Sequence, residues 1–256
     1  MDDGNNTGLI RRQVLNLDQK DKSDEPEDVS RRNFFKFLGV TAIAAGGIAS
    51  LRGVIQNIIP PVSNAVSGFP TLVLYSQAGV PIKTSDLQVN SPKIVLFDYP
   101  LQNEPNFLLR LGDSSNNDVE IKPTTVTIPA TGKTFTSAGG VGPYKSVVAS
   151  SAICQHLGCI PPIIHFYPPS SSSYPGKIHC NCHGSTYDPY KGFAVVTGPT
   201  VHPLPNTVLQ YDSSSDQYSV TNMVGPTIYG HTSDLSGGNP LSSTKYTEIS
   251  VTSPTS

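Results

Sequence analysis

Two short stretches decide how this chain is read: "CQHLGC", Cys154–Cys159, and "CNCHGSTYD", Cys180–Asp188. Between them they hold all four cysteines of a 256-residue chain and two of its six histidines, His156 and His183. Thiolate and imidazole are donors that transition metals select. Two loops that each carry both donor types read as one site assembled from two pieces of chain.

Outward from these loops the chain is rich in turn residues, with 22 glycines and 23 prolines, and runs of Val, Ile, Thr and Tyr recur between them. Short apolar runs punctuated in this way predict an all-β body. Strand-like runs are "TLVLY" (71–75), "KIVLFDY" (93–99), "FLLRL" (107–111), "VEIKPTTVTI" (119–128) and "KSVVASSAIC" (145–154), the last leading into the first cysteine loop. After the second loop, "NTVLQYDSSSDQYSVTNM" (206–223) predicts a hairpin about a Ser/Asp turn, and the tail from Gly225 is Ser/Thr/Gly-rich and uninformative. Charged residues make up 14% of the chain and net charge is -2, so no basic face points to nucleic acid.

The N-terminus has a different character. Residues 1–35 begin polar and charge-dense, which predicts disorder, and contain "SRRNFFK", which resembles a twin-arginine export signal. An apolar run from Phe37 to Ile59 follows, long enough for a bilayer-spanning helix, and 36–59 is read as a single transmembrane anchor rather than a cleaved signal peptide. Arg31, Arg32 and Lys36 place the N-terminus in the cytoplasm and the body on the extracytoplasmic side of the cell membrane. Pro60 and Pro61 end the helix, and 60–68 reads as a tether to a head spanning 69–256.

Three chemistries fit the two loops. Two structural disulfides suit an exported protein, but they leave His156 and His183 without a role, and Cys180 and Cys182 are too close to bond each other without strain. Tetrahedral zinc takes Cys and His, and needs four of the six candidates. An iron–sulfur cluster held by two Cys and two His, with the spare cysteines bonded together, uses all six.

The two loops resemble the boxes C-x-H-x-G-C and C-x-C-H-G-S of the Rieske iron–sulfur proteins. The resemblance implies a Rieske-type [2Fe–2S] cluster held by Cys154, His156, Cys180 and His183, with Cys159 bonded to Cys182. Spacing agrees: in an extended loop, Cys154 and His156 point the same way, and Cys182, next to His183, faces away from the cluster. Ser185 and Tyr187 stand where the family donates hydrogen bonds to the cluster and to the first cysteine sulfur, here Cys154. "TGP" (197–199) resembles the start of the loop that covers the cluster. It continues "TVHPLP" where mitochondrial relatives have Ala-Pro, and the segment between the boxes is longer than theirs.

The implied fold is a Rieske-type antiparallel β-sandwich head with a small cluster-binding subdomain at about 150–203. Soluble Rieske ferredoxins and oxygenase domains generally lack the two spare cysteines and an anchor, so the chain resembles the Rieske subunit of cytochrome bc-type quinol oxidases. The implied role is to take an electron from quinol, with His156 or His183 accepting the proton, and to pass it to a cytochrome or equivalent acceptor. The expected partner is a cytochrome b-type subunit, without which the chain is not catalytic. From Val62 onward only 9 basic and 11 acidic side chains occur, which suits an acidic exterior and relatives among acid-loving archaea. Alternatives are a Rieske subunit of an oxygenase-like or arsenite-oxidase-like system, and a zinc-binding surface protein.

Overall fold

The structure, a computed structural model, describes residues 69–227 and 239–255. The expected disordered N-terminus, anchor and tether lie outside them. Among the described residues no helix is long and apolar enough to cross a membrane.

The described chain is built of strands: β1 (Leu72–Tyr75), β2 (Ile94–Asp98), β3 (Pro105–Arg110), β4 (Thr124–Thr127), β5 (Thr134–Ser137), β6 (Val147–Ser151), β7 (Ile164–Tyr167), β8 (Lys177–Cys180), β9 (Thr186–Asp188), β10 (Ala194–Thr197), β11 (Asn206–Asp212), β12 (Gln217–Val224) and β13 (Tyr246–Thr252). Two short 3-10 turns, Thr84–Asp86 and Pro189–Lys191, are the described helical elements. The all-β expectation holds, but the main sheet is not a two-sheet sandwich. It closes into a barrel in the order β1-β12-β11-β6-β3-β2-β13. One pairing, β1 with β13, is parallel. Closure leaves this sheet no exposed edge.

A second, four-stranded sheet, β10-β9-β8-β7, packs beside the barrel. The packing follows from β3 and β6, which alternate their side chains between two cores. Leu108, Val147 and Ala149 join Leu72, Phe97 and Val220 inside the barrel. Phe107, Leu109 and Val148 point outward and meet Ile164, Ile178 and Tyr187 of the smaller sheet, with Phe193 just before β10. Both strands are therefore buried on two faces, which is why each carries three consecutive apolar residues, Phe107–Leu109 and Val147–Ala149. Cys154 and Cys180 belong to this second core.

Three sequence expectations need correction. The run 119–128 forms a strand only over β4, paired with β5 in a separate two-stranded sheet; Pro123 has no N–H to give a ladder. The tail is not featureless, since β13 lies between β1 and β2 and completes the barrel. The cysteine loops are turns rather than extended chain, as described next.

Candidate metal centre

Box one leaves the end of β6, and box two is the loop joining β8 to β9. The two fold alike. In the first, Gly158 N–H donates to Cys154 O at 2.9 Å and Cys154 N–H to Cys159 O at 2.8 Å. In the second, Gly184 N–H donates to Cys180 O at 2.9 Å and Cys180 N–H to Ser185 O at 2.9 Å. Each turn needs a residue at positive φ before its end, Gly158 at 80° and Gly184 at 87°, where glycine carries no Cβ penalty. A tight turn lets a Cys and the His two positions on, or three positions on in box two, gather on one side.

Cys159 and Cys182 form a disulfide that ties the two turns together. Asn181 N–H adds a backbone bond to Ile163 O at 3.2 Å. The sulfurs of Cys159, Cys180 and Cys182 lie within 4.8 Å of one another. They do not make a three-thiolate site, because two of them are consumed by the disulfide.

Cys154 and Cys180 remain as free, buried thiols. They hydrogen-bond each other, and that bond, with further ones from Tyr187, the His156 backbone and Ser185, pulls the Cys154 thiol down to about 5 despite its burial. The same contact pushes Cys180 up, so the pair shares a proton. His156 and His183 meet at the tip, ring centroids 4.9 Å apart and nearly perpendicular. His183 is exposed and His156 partly so, but His156 Nδ1 is buried with no hydrogen-bond partner. A buried imidazole nitrogen left unpaired is costly unless a cation takes its lone pair. Two buried thiols in contact and two adjoining imidazoles thus sit on turns that one disulfide ties together.

The supporting residues are also in place. Tyr187 Oη lies 3.4 Å from Cys154 Sγ and accepts Gln155 N–H at 3.0 Å. Burial, then Cys154, push Tyr187 up, which keeps its proton available for donation. Ser185 Oγ is buried without an aligned acceptor, yet near enough to Cys154 to help hold a thiolate there. Gly198, at φ 101°, lays the following loop directly on box two. A Cβ there would meet Gly184 O and Ser185 Cα at 2.5 Å each.

His165 and His179 are buried in β7 and β8 as direct cross-strand partners. Their rings stack on Tyr167 and Tyr174 respectively. Burial pushes both imidazoles down, toward the neutral form. His202 lies in the loop after Gly198, and His231 falls outside the described residues. Sequence reading missed Gln155, whose N–H donates to the Tyr187 hydroxyl.

Comparison with known proteins gives consistent matches. The Rieske [2Fe-2S] domain family matches residues 116–208. Iodate reductase subunit IdrB of Denitromonas iodatirespirans is 24% identical over 227 residues, covering 87% of this chain and 96% of that protein. The cytochrome bc1 complex Rieske iron–sulfur subunit of Streptomyces lividans is 40% identical over 65 residues, which cover 24% of this chain and 32% of that subunit. Among solved structures, the soluble domain of Rieske protein II from Sulfolobus acidocaldarius is 30% identical with a TM-score of 0.46, covering 62% of this chain and 81% of that one.

Proposed function

This chain belongs to the Rieske [2Fe-2S] proteins, and from that premise we propose that it is the Rieske subunit of a membrane-bound quinol-oxidising complex. It is an electron-transfer protein and its cofactor is a [2Fe–2S] cluster. We assign Cys154, His156, Cys180 and His183 as the ligands. What supports this is that two free buried thiols in contact and two adjoining imidazoles sit on two turns joined by a disulfide. That donor set fits the cluster, and it leaves neither His156 Nδ1 nor the paired thiols without a role.

When bound, the cluster takes up and releases one electron, at a potential raised because neutral imidazoles replace two thiolates. The chain's own groups do the rest. Tyr187 and Ser185 hydrogen-bond toward sulfur and favour the more negative, reduced state. His183, exposed, would meet quinol, and a histidine ligand that has first lost its remaining ring proton, as metal binding favours, could accept quinol's proton at that nitrogen. The disulfide holds the two turns in register and suits an oxidising compartment outside the cytoplasm. The segment 36–59 anchors the head, 60–68 tethers it, and "SRRNFFK" exports the chain folded. A cytochrome b-type subunit supplies the quinol pocket, and a cytochrome or equivalent acceptor receives the electron. The match to a cytochrome bc1 Rieske subunit supports this partner.

A second reading has a specific observation behind it. The match to an iodate reductase subunit spans nearly the whole of that protein, which favours a Rieske subunit delivering electrons within a terminal reductase. Purification of the full chain from its native membrane separates the two. Co-purifying cytochrome b, with quinol reducing the cluster at a rate sensitive to quinol-site inhibitors, supports the first. Co-purification with an oxyanion reductase subunit, and no direct reduction by quinol, overturns it in favour of the second.

A further inference from the structure

We propose that the outer face of β7 and β8, with Tyr174 folded onto it, is a second tie between the two cysteine turns, one that holds the metal centre while Cys159 and Cys182 are still thiols. The inference rests on the ligand assignment and on export of the chain already folded.

Ile164, Phe166 and Ile178 point into the second core, so His165, Tyr167 and His179 stand on the opposite face of the two strands. The connection 168–176 folds back over that face. Tyr174 lies flat on His179, ring centroids 3.5 Å and planes 10° apart, and meets Tyr167 edge-on at 5.3 Å. Tyr167 stacks in turn on His165 at 4.3 Å. Tyr174 takes φ 51° in this position, a conformation that a residue with a side chain keeps where its surroundings impose it. The two histidines are left only 5% exposed each.

This layer grips the turns at three points. His165 Nδ1–H donates to Pro162 O at 3.0 Å, just past Cys159; a carbonyl only accepts, which fixes the tautomer. The Tyr167 hydroxyl donates to Asn181 Oδ1 at 3.2 Å, inside box two. His179 Nδ1 and Thr186 Oγ1, 2.8 Å apart, close the neck of box two across paired residues of β8 and β9. None of these contacts uses the disulfide, and the need for them arises before it exists. In a reducing cytoplasm Cys159 and Cys182 stay thiols. Their sulfurs, within 4.8 Å of Cys180 Sγ, then compete with it for iron. A chain exported folded has to present the right four ligands in that state.

The test compares full chains with and without Tyr174→Ala, in the parent and in a disulfide-free chain carrying Cys159→Ser and Cys182→Ser. The readouts are the rate at which an iron chelator bleaches the cluster and the imidazole nitrogen coupling of the reduced cluster. With the disulfide intact, Tyr174→Ala should bleach close to the parental rate. Without it, bleaching should quicken about threefold or more, the factor that one aromatic pair is worth. Tyr174→Phe keeps the ring and should match the parent in both backgrounds. Equal effects of Tyr174→Ala in the two backgrounds, or none in either, overturn the inference, because ties that share a load are not additive. A disulfide-free chain that carries no cluster with Tyr174 in place overturns it as well. The readings beneath fail separately. Two-imidazole coupling that survives His183→Ala sinks the ligand assignment. A chain kept in the cytoplasm by Arg31→Lys and Arg32→Lys that is empty, beside a loaded disulfide-free chain, sinks the folded-export reading and not the tie.

Discussion

A cysteine that binds iron as thiolate must give up its proton in a place where burial alone would hold it. Cys154 meets that demand through the bonds from Cys180, Tyr187, the His156 backbone and Ser185. The bond from Cys180 would be lost once that thiol also binds iron, but those from Tyr187, the His156 backbone and Ser185 would remain to favour the extra negative charge of a reduced cluster. Replacing Cys154, His156, Cys180 or His183 by Ala should therefore abolish the paramagnetic signal of the reduced cluster. A His183→Ala chain that keeps nitrogen coupling from two imidazoles would show that the assignment is wrong. Ser185→Ala and Tyr187→Phe should instead leave the cluster in place and lower its potential. A hydrogen bond worth about 1 kcal/mol to the reduced state is roughly 40 mV for one electron; equal potentials in both variants would mean these side chains do not bear on the cluster. The boxes were legible in the sequence because ligand, turn glycine and hydroxyl donor all sit within a few residues. Gln155 was not, because it meets Tyr187 only through the folded chain and nothing in its local sequence marks it.

At the level of elements, the strands that could be read were those whose burial imposes a pattern. β3 and β6, buried on both faces, announce themselves as apolar runs, and the β11–β12 hairpin by its Ser/Asp turn, where Asp212 accepts Ser214 N–H at 2.9 Å. β13 could not be read. Its burial pattern is mostly exposed, and backbone pairing with β1 and β2 holds it. Backbone hydrogen bonds leave no residue signature, so neither this strand nor barrel closure was visible. The turns failed for a related reason: the assumption of extended chain ignored Gly158 and Gly184, whose positive φ reverses it. The disulfide acts at this scale, joining two turns rather than supplying a ligand. Cys159→Ser, or Cys182→Ser, should still assemble a cluster with two-imidazole coupling but lose it several times faster on warming. Both thiols reacting freely with alkylating reagent in the native protein would contradict the bond itself.

The whole molecule carries few charges, so its response to acid turns on a small number of placed carboxylates. The foremost is Asp118, bridged by Arg110 through Nε at 2.8 Å and Nη2 at 2.7 Å, and bonded by Ser146. Arg110 also donates to Thr84 O and Leu87 O at 3.0 Å each. One ion pair thus fastens the 3-10 turn, β3 and the start of β6, and it is largely shielded from water. The Arg110 hydrogen bonds, aided by Ser146, outweigh burial and hold the Asp118 carboxyl below the usual carboxylate range. The folded state therefore binds fewer protons here than the unfolded chain, whose aspartates titrate near about 3.9. The stabilisation is complete above that value and is lost as pH falls through the lower folded one. Asp118→Asn should cost about 1–3 kcal/mol at pH 7, the range for a hydrogen-bonded charge. The gap between variant and parent should narrow as pH drops from roughly 4 toward 2, because the parent loses what the variant never had. Urea midpoints at pH 7, 4 and 2 measure it. A gap that stays constant into strong acid would mean Asp118 works by packing and not by charge, and that acid unfolding of this head begins elsewhere.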